Sequence, residues 1–276
     1  MRGSAVIFIL WVISFLLILV SEIAFHSSLT QRIASTAQSR IEYYPQAIEC
    51  VKALIPALSE NRTLYSMDIK VEDREFKIEI TDEAGKINLN TADEKTLLEL
   101  MDVLNIPSPE KDIIVDSILD WRDPDEFHRL NGAESDYYEK LNPPYKSKNG
   151  PFDSLEELLL VRGITPEIYH KLKKYLTTYR VSNKVNVNTA DKTLLVLKGI
   201  PEDVAEEIIK ERKKGVFQNL TDLEERIDIS SIPSEVINNL TFSLSNTVKI
   251  KVEIKKARFL FWADISSNSV RILDVR

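Results

Sequence analysis

The residue types able to do chemistry are concentrated in one short stretch. Asp120, Asp123, Asp125, Glu126, Glu134 and Asp136 fall within 17 positions, opposed only by Arg122 and Arg129. Carboxylates at that density repel one another unless they are solvated, paired or bound to a cation. Calcium takes about six to eight oxygen ligands in irregular geometry, so a loop offering carboxylates, asparagine and backbone carbonyls suits it. The spacing is not that of an EF-hand. On the residues alone, a solvated acidic loop and a metal site both stay open. Other chemistries are poorly supplied. No serine, histidine and acid arrangement argues for catalysis. His26, His128 and His170 lie far apart without zinc spacing, and the single Cys50 forbids an intramolecular disulfide. The 7 glycines form no phosphate-cradling motif, and a net charge of -7 disfavours nucleic acid as a partner.

The elements that must position this loop follow from hydropathy patterning in a chain of 276 residues. Residues 5–20 are apolar except Ser14, and the run resumes over residues 23–25. As a helix this stretch spans roughly 30 Å, one bilayer core. Gly3 and Ser4 precede it, and Arg2 is the sole charge before the run. A short basic leader ending in glycine is what a prepilin peptidase cuts, which would fall between Gly3 and Ser4. A permanent single-span anchor stays open beside it, a cleaved secretory signal fits poorly for want of a small-x-small site, and the positive flank keeps the start of the chain cytoplasmic. The helix is expected to continue with Leu29, Ile33, Ala37 and Ile41 on one stripe, facing either the core or other subunits. Pro45 and Pro56 should kink or interrupt it. Alternation of apolar and polar residues over residues 67–81 predicts a hairpin turning at Glu72 to Glu75. The same alternation from Val248 to Ile254, then over residues 259–265 and 270–275, predicts further antiparallel strands. Between these regions the sequence is helical, so the fold class is α+β with an inserted all-α domain.

That insertion is internally repeated. The segment from Lys86 to Asp93 (KINLNTAD) recurs 98 positions later from Lys184 to Asp191 (KVNVNTAD). In each copy Asn or Thr is expected to cap a helix whose buried face is Leu97, Leu98 and Leu100, or Leu194, Leu195 and Leu197. A turn and a second helix follow, ending near Trp121 or Arg212. The copies then rejoin at Phe152 and Phe217, with about thirty extra residues in the first. Such helical hairpins can bind DNA through a Gly-hydrophobic-Gly turn whose N–H groups hold a phosphate. The turns here read Asn105-Ile106-Pro107, Gly163-Ile164-Thr165 and Gly199-Ile200-Pro201, and proline has no N–H to give. The one basic cluster, Lys210 and Arg212 to Lys214, is balanced by nearby acids and is expected to be a solvated face. A membrane-tethered DNA receptor of the competence type is the alternative reading.

Taken together these residues resemble the K-type minor pseudopilin family of the type II secretion system. The resemblance rests on Gly3 before the apolar helix, on the INLNTA and VNVNTA copies, and above all on the middle of the chain. There Asp120, Trp121, Asp123 and Asp125, then Asn131, Gly132, Ala133, Glu134, Tyr137 and Tyr138, then Pro144, Tyr145, Ser154, Glu157 and Leu158 stand in the family's order. Cleavage after Gly3 would make Phe8 the fifth mature residue, where major pilins carry glutamate and this family does not. The resemblance implies a leader at residues 1–3, a hydrophobic and amphipathic helix at 4–60 and a pilin-like sheet from 61–85 and 244–276. It also implies two helical-hairpin (SAM-like) repeats at 86–183 and 184–243, the first carrying the acidic insertion 120–151. It implies a non-catalytic subunit at the pseudopilus tip, anchored once in the inner membrane with its bulk in the periplasm and methylated at its new N-terminus. The partners it implies are I- and J-type minor pseudopilins, other pseudopilins and the prepilin peptidase, with no nucleic acid. It implies calcium in the insertion, with Asp120, Asp123, Asp125, Glu134 and Asp136 in the matching segment.

Overall fold

The computed structural model describes residues 2–63, 65–71, 74–179, 181–255, 257–265 and 271–275. Met1, the middle of the expected 72–75 turn and the expected strand start at Val270 lie outside them. Helix α1 (Arg2–Glu60) is unbroken. Its segment Ile13–Leu58 contains a window apolar enough to cross a membrane. Of the expected kink or interruption, the interruption does not occur, and both Pro45 and Pro56 lie inside the continuous helix. Each proline removes one backbone hydrogen bond, whereas Tyr43, Ala47, Val51, Leu54 and Leu58 are all buried against the sheet and hold the helix on either side. Above this packed half, the expected stripe does not face a core. Leu29, Ile33 and Ile41 are 44%, 61% and 78% exposed.

Two strands follow, β1 (Ser66–Val71) and β2 (Arg74–Asp82), paired as an antiparallel hairpin. The chain then leaves the sheet. Strand β3 (Ile87–Asn88), α2 (Glu94–Val103), α3 (Glu110–Arg122) and α4 (Ser135–Tyr138) come first, then a 3-10 turn (Leu155–Leu160), α5 (Pro166–Leu172) and β4 (Leu176–Thr177). The second copy supplies β5 (Val185–Asn186), α6 (Lys192–Leu197), α7 (Glu202–Glu211), α8 (Leu220–Arg226), α9 (Ser234–Ile237) and β6 (Leu240–Thr241). The chain re-enters the sheet with β7 (Thr247–Ile254), β8 (Ala257–Asp264) and β9 (Arg271–Val275). The sheet order is β1-β2-β7-β8-β9, antiparallel throughout. Period-two alternation puts Ile78, Ile80, Val248, Ile250, Val252, Phe259 and Phe261 on the face covered by α1. The helical domain has a separate core that runs through both repeats.

The repeated octapeptide explains how each copy closes. Ile87 and Asn88 pair in parallel with Leu176 and Thr177, and Val185 and Asn186 with Leu240 and Thr241, so each repeat is tied end to start. The first asparagine of each motif forms an Asx turn, Asn88 Oδ1 accepting from Asn90 N and Asn186 Oδ1 from Asn188 N. The second grips both main-chain polar groups of a distant residue. Asn90 Oδ1 accepts from Phe152 N at 2.7 Å while its amide donates to Phe152 O at 3.0 Å. Asn188 does the same to Phe217, at 2.8 Å in each direction. With both asparagines engaged, the cap falls to the last residue of the motif. Asp93 and Asp191, rather than the expected Asn or Thr, accept from Thr96 N and Leu194 N. Arginines at the ends of α3 and α7 complete the match, Arg122 donating to Leu89 O and Ala92 O, and Arg212 to Val187 O and Ala190 O. Leu98 and Leu197 are only partly buried, while their neighbours on α2 and α6 enter the core.

Removing one asparagine clamp should strand a peptide group. Asn188→Ala is expected to lower stability by about 2 kcal/mol, the cost of leaving the Phe217 N–H and C=O unpaired. Lys213→Ala, at an exposed position, should leave the thermal midpoint unchanged.

Candidate functional site

The acidic stretch folds back on α3. Asp120 lies in the last turn of that helix, Asp123 is its C-cap, and Glu134 is the residue before α4. One carboxylate oxygen from each lies within 4.8 Å of the other two. Asp120 is 0% exposed and Glu134 1%. Both Asp120 oxygens accept from Arg129 N, at 3.1 and 3.2 Å. Glu134 Oε1, Glu134 Oε2 and Asp123 Oδ1 are buried with no hydrogen-bond partner. Arg129 is 3.8 Å from Asp120 and shared with Glu94.

Three carboxylates held together out of water shift their own titrations. Burial, reinforced by Asp123 and Asp116, raises the Asp120 carboxyl despite the opposing Arg129 amide. Burial and then Asp125 raise Asp123. Glu134 is pushed up to about 7, first by burial and then by Asp120, Asp123 and Glu126, against the opposing influence of the nearby Ser147. The donor set is all oxygen, which suits a hard cation and not zinc.

Of the five acids expected in the loop, Asp125 and Asp136 stand apart from this cluster. Asp125 Oδ1 accepts from Phe127 N and Asp136 pairs with Lys140, both at exposed positions. Glu126 has a different role, because its carboxylate accepts from Ser135 N, Ser135 Oγ and Asn149 Nδ2 and so ties the loop to α4. Asp116, one turn before Asp120, accepts from the main chain and side chain of Asn131. The i, i+4 spacing of Asp116 and Asp120 is the signal that could have marked this face of α3. Gly132 is required by the close approach, since a Cβ there would fall on the Asp120 carboxylate. An aromatic group walls the site, with Trp121 edge-on to Tyr138 at 5.2 Å and Tyr138 stacked on Tyr145 at 5.2 Å. Arg162 lies over Tyr137 and donates to Gly132 O.

In the turns after α2 and α6 the N–H groups that could meet a phosphate are already spent within the chain. Asn105, at φ 54°, takes the left-handed conformation that Gly199 has at 89°. The Asn105 and Ile106 N–H groups donate to Asp102 O and Met101 O, and those of Gly199 and Ile200 to Val196 O and Leu195 O. In the basic cluster, Arg212 is committed to main-chain carbonyls and Lys214 to Glu211.

Fold and site together define a chain with one long apolar helix and a pilin-like sheet, into which a two-repeat helical domain with a carboxylate pocket is inserted. Residues 78–181 match the family model described as type II secretion system (T2SS), protein K, and residues 181–237 that of the helix-hairpin-helix motif. Type II secretion system protein K of Klebsiella pneumoniae is 24% identical over 215 residues, 68% of this chain and 66% of that protein. The Aeromonas hydrophila protein K is 37% identical over 98 residues, 34% of this chain and 29% of its own. The chain thus spans just under two thirds of the first relative and under a third of the second. One chain of the GspK-GspI-GspJ complex from the enterotoxigenic Escherichia coli type 2 secretion system has the same fold. Its TM-score is 0.65 at 15% identity, over 88% of this chain and 98% of that one. Over these regions the chain is similar to type II secretion system protein K.

The raised Glu134 carboxyl has a definite thermodynamic sign. In chelator, the folded state keeps a proton that the unfolded chain releases above its ordinary value of 4.5. Stability should therefore fall as pH rises from about 4.5 to about 7, by on the order of 2 kcal/mol, and level off above. Asp120 and Asp123 act in the same direction. Denaturant midpoints across that range should show the slope in the native chain and a reduced slope in Glu134→Gln.

Proposed function

We propose that the protein is a minor pseudopilin of the type II secretion system, placed at the tip of the pseudopilus, where it initiates or caps assembly in support of protein export. The observation that carries this reading is the protein K region at residues 78–181, inserted into a sheet whose companion helix has an apolar stripe left unpacked by its own chain. Such a stripe suits packing against the helices of other subunits. The helical domain is far wider than a single helix of about 10 Å, so subunits can add beneath it and meet an obstruction above. I- and J-type minor pseudopilins are the proposed direct partners, in keeping with the GspK-GspI-GspJ complex that shares the fold. The proposed location is the inner membrane, single-pass, with the bulk of the chain in the periplasm. Arg2 on the cytoplasmic side and prepilin peptidase cleavage between Gly3 and Ser4 belong to the same reading. The role is structural and not enzymatic. The DNA-receptor alternative is disfavoured by turn N–H groups spent on helix C-caps.

Calcium is the proposed cofactor of the insertion. Asp120, Asp123 and Glu134 would hold it, because three buried oxygens without donors fit a cation that supplies the missing charge. Its bound charge would lock the loop onto α3 and let all three carboxylates ionise together. Calcium should raise the thermal midpoint, with about 2.7 kcal/mol of linkage at one hundred times Kd. Both Asp123→Ala and Gly132→Ala should lose most of that gain, the latter by displacing the Asp120 carboxylate. An equal midpoint in calcium and in chelator for the native chain would return the loop to an uncharged-partner role.

Co-expression with I- and J-type pseudopilins tests the tip role. The membrane-extracted protein should begin at Ser4, co-purify with both partners, and shorten pseudopili when overproduced. Pseudopili of unchanged length under overproduction, from correctly processed protein, would contradict capping.

A further inference from the structure

A cleft of about 440 Å³ lies where the outer face of the sheet meets the helical domain. Strand register builds its floor. Lys249 on β7 is opposite Thr81 on β2 and Trp262 on β8, and all three face away from α1 because Val248 and Ile250 face the core. The opposite wall comes from the stretch following α5, with Lys173, Lys174 and Thr178, and from Tyr179, whose ring is 6.5 Å from that of Trp262.

The four carboxylates lining this cleft all have protein partners. Asp82 accepts from Ala84 N, Asn186 Nδ2 and Ser245 N. Glu83 pairs with Lys86 at 2.6 Å, Glu156 accepts from the Tyr169 hydroxyl, and Asp191 caps α6. The ammonium groups are not matched in the same way. Lys173 lies over the Tyr169 ring, and among the described residues neither Lys174 nor Lys249 makes a hydrogen bond or ion pair. Lys249 is the deepest of them. Burial and the neighbouring Lys86 depress its ammonium below the ordinary lysine range, and the nearby acids Glu83 and Glu79 are already committed to Lys86 and Lys251. A half-buried ammonium without a counter-charge, beside an indole, is a receptor for a carboxylate carried next to an apolar group.

We propose that this cleft binds an acidic peptide segment, with a Glu or Asp carboxylate on Lys249, an adjacent apolar side chain against Trp262, and backbone amides within reach of the Thr81 and Thr178 hydroxyls. A peptide offers all three of these groups at once, which a bare anion does not. The inference stands on the cleft alone and does not require the secretion role.

The test uses the full chain in detergent micelles at pH 7.5 and calorimetric titration with acetyl-diglutamyl-leucine amide, its diglutaminyl counterpart, and glutarate. The diglutamyl peptide should bind at least ten-fold more tightly than the diglutaminyl one and protect Lys249 from acetylation, read by mass spectrometry. Lys249→Gln should weaken it at least five-fold, while Lys171→Gln at an exposed site should not. The peptide comparison and the protection measurement need no variant, so a folding defect in Lys249→Gln cannot decide the matter. Equal affinity for the two peptides, unprotected Lys249, or glutarate binding as tightly as the peptide would each overturn the proposal, the last by reducing the cleft to a simple dicarboxylate site.

Discussion

Two asparagine side chains hold the helical domain closed. Its helices are short, most of them ten residues or fewer, and helices of that length have little stability of their own. They persist because Asn90 and Asn188 each satisfy the main-chain N–H and C=O of one residue, 62 and 29 positions away. Each thereby fixes the start of the second hairpin against the start of the first. A buried peptide group left unpaired is costly, so the alternative chain paths are suppressed at a single point in each repeat. Arg122 and Arg212 secure the same loops from the other side.

This economy of contacts lets the domain grow from the sheet without disturbing it. The sheet with α1 and the two repeats have separate hydrophobic cores. They are joined by polar groups, with Asp82 accepting from Asn186 Nδ2 and the Tyr65 hydroxyl donating to Phe242 O. A pilin-like sheet can thus carry a bulky attachment between two of its central strands, β2 and β7, because the entry and exit points are neighbours in one ladder. The acidic pocket is a further elaboration within the first repeat only, where the extra thirty or so residues fold onto α3. Its cost is electrostatic. Buried carboxylates that outnumber their counter-charges oppose folding, and the raised Glu134 carboxyl expresses that opposition.

Much of this was legible in the sequence. Alternation marked both edges of the sheet, since a sheet covered on one face must have period two. The octapeptide repeat marked the two copies, and the density of Asp and Glu marked the loop. The capping residue was misassigned because Asn, Thr and Asp all cap helices well, and only the distant claims on Asn90 and Asn188 leave the task to Asp93 and Asp191. The prolines of α1 do not end the helix because propensity is local, whereas packing of Val51 and Leu54 against the sheet is not.

Composition and periodicity by themselves determined the α+β class, the apolar helix, the duplicated helical insertion and the segment in which acids would gather, because each depends on neighbours along the chain. Tertiary structure alone decided which acids meet. Asp120, Asp123 and Glu134 converge because α3 ends where the loop returns over it, with Gly132 leaving room for a carboxylate, while Asp125 and Asp136 remain at the surface. It alone also set the unpaired Lys249 beside Trp262, since cross-strand register and the approach of a second domain are properties of no single segment.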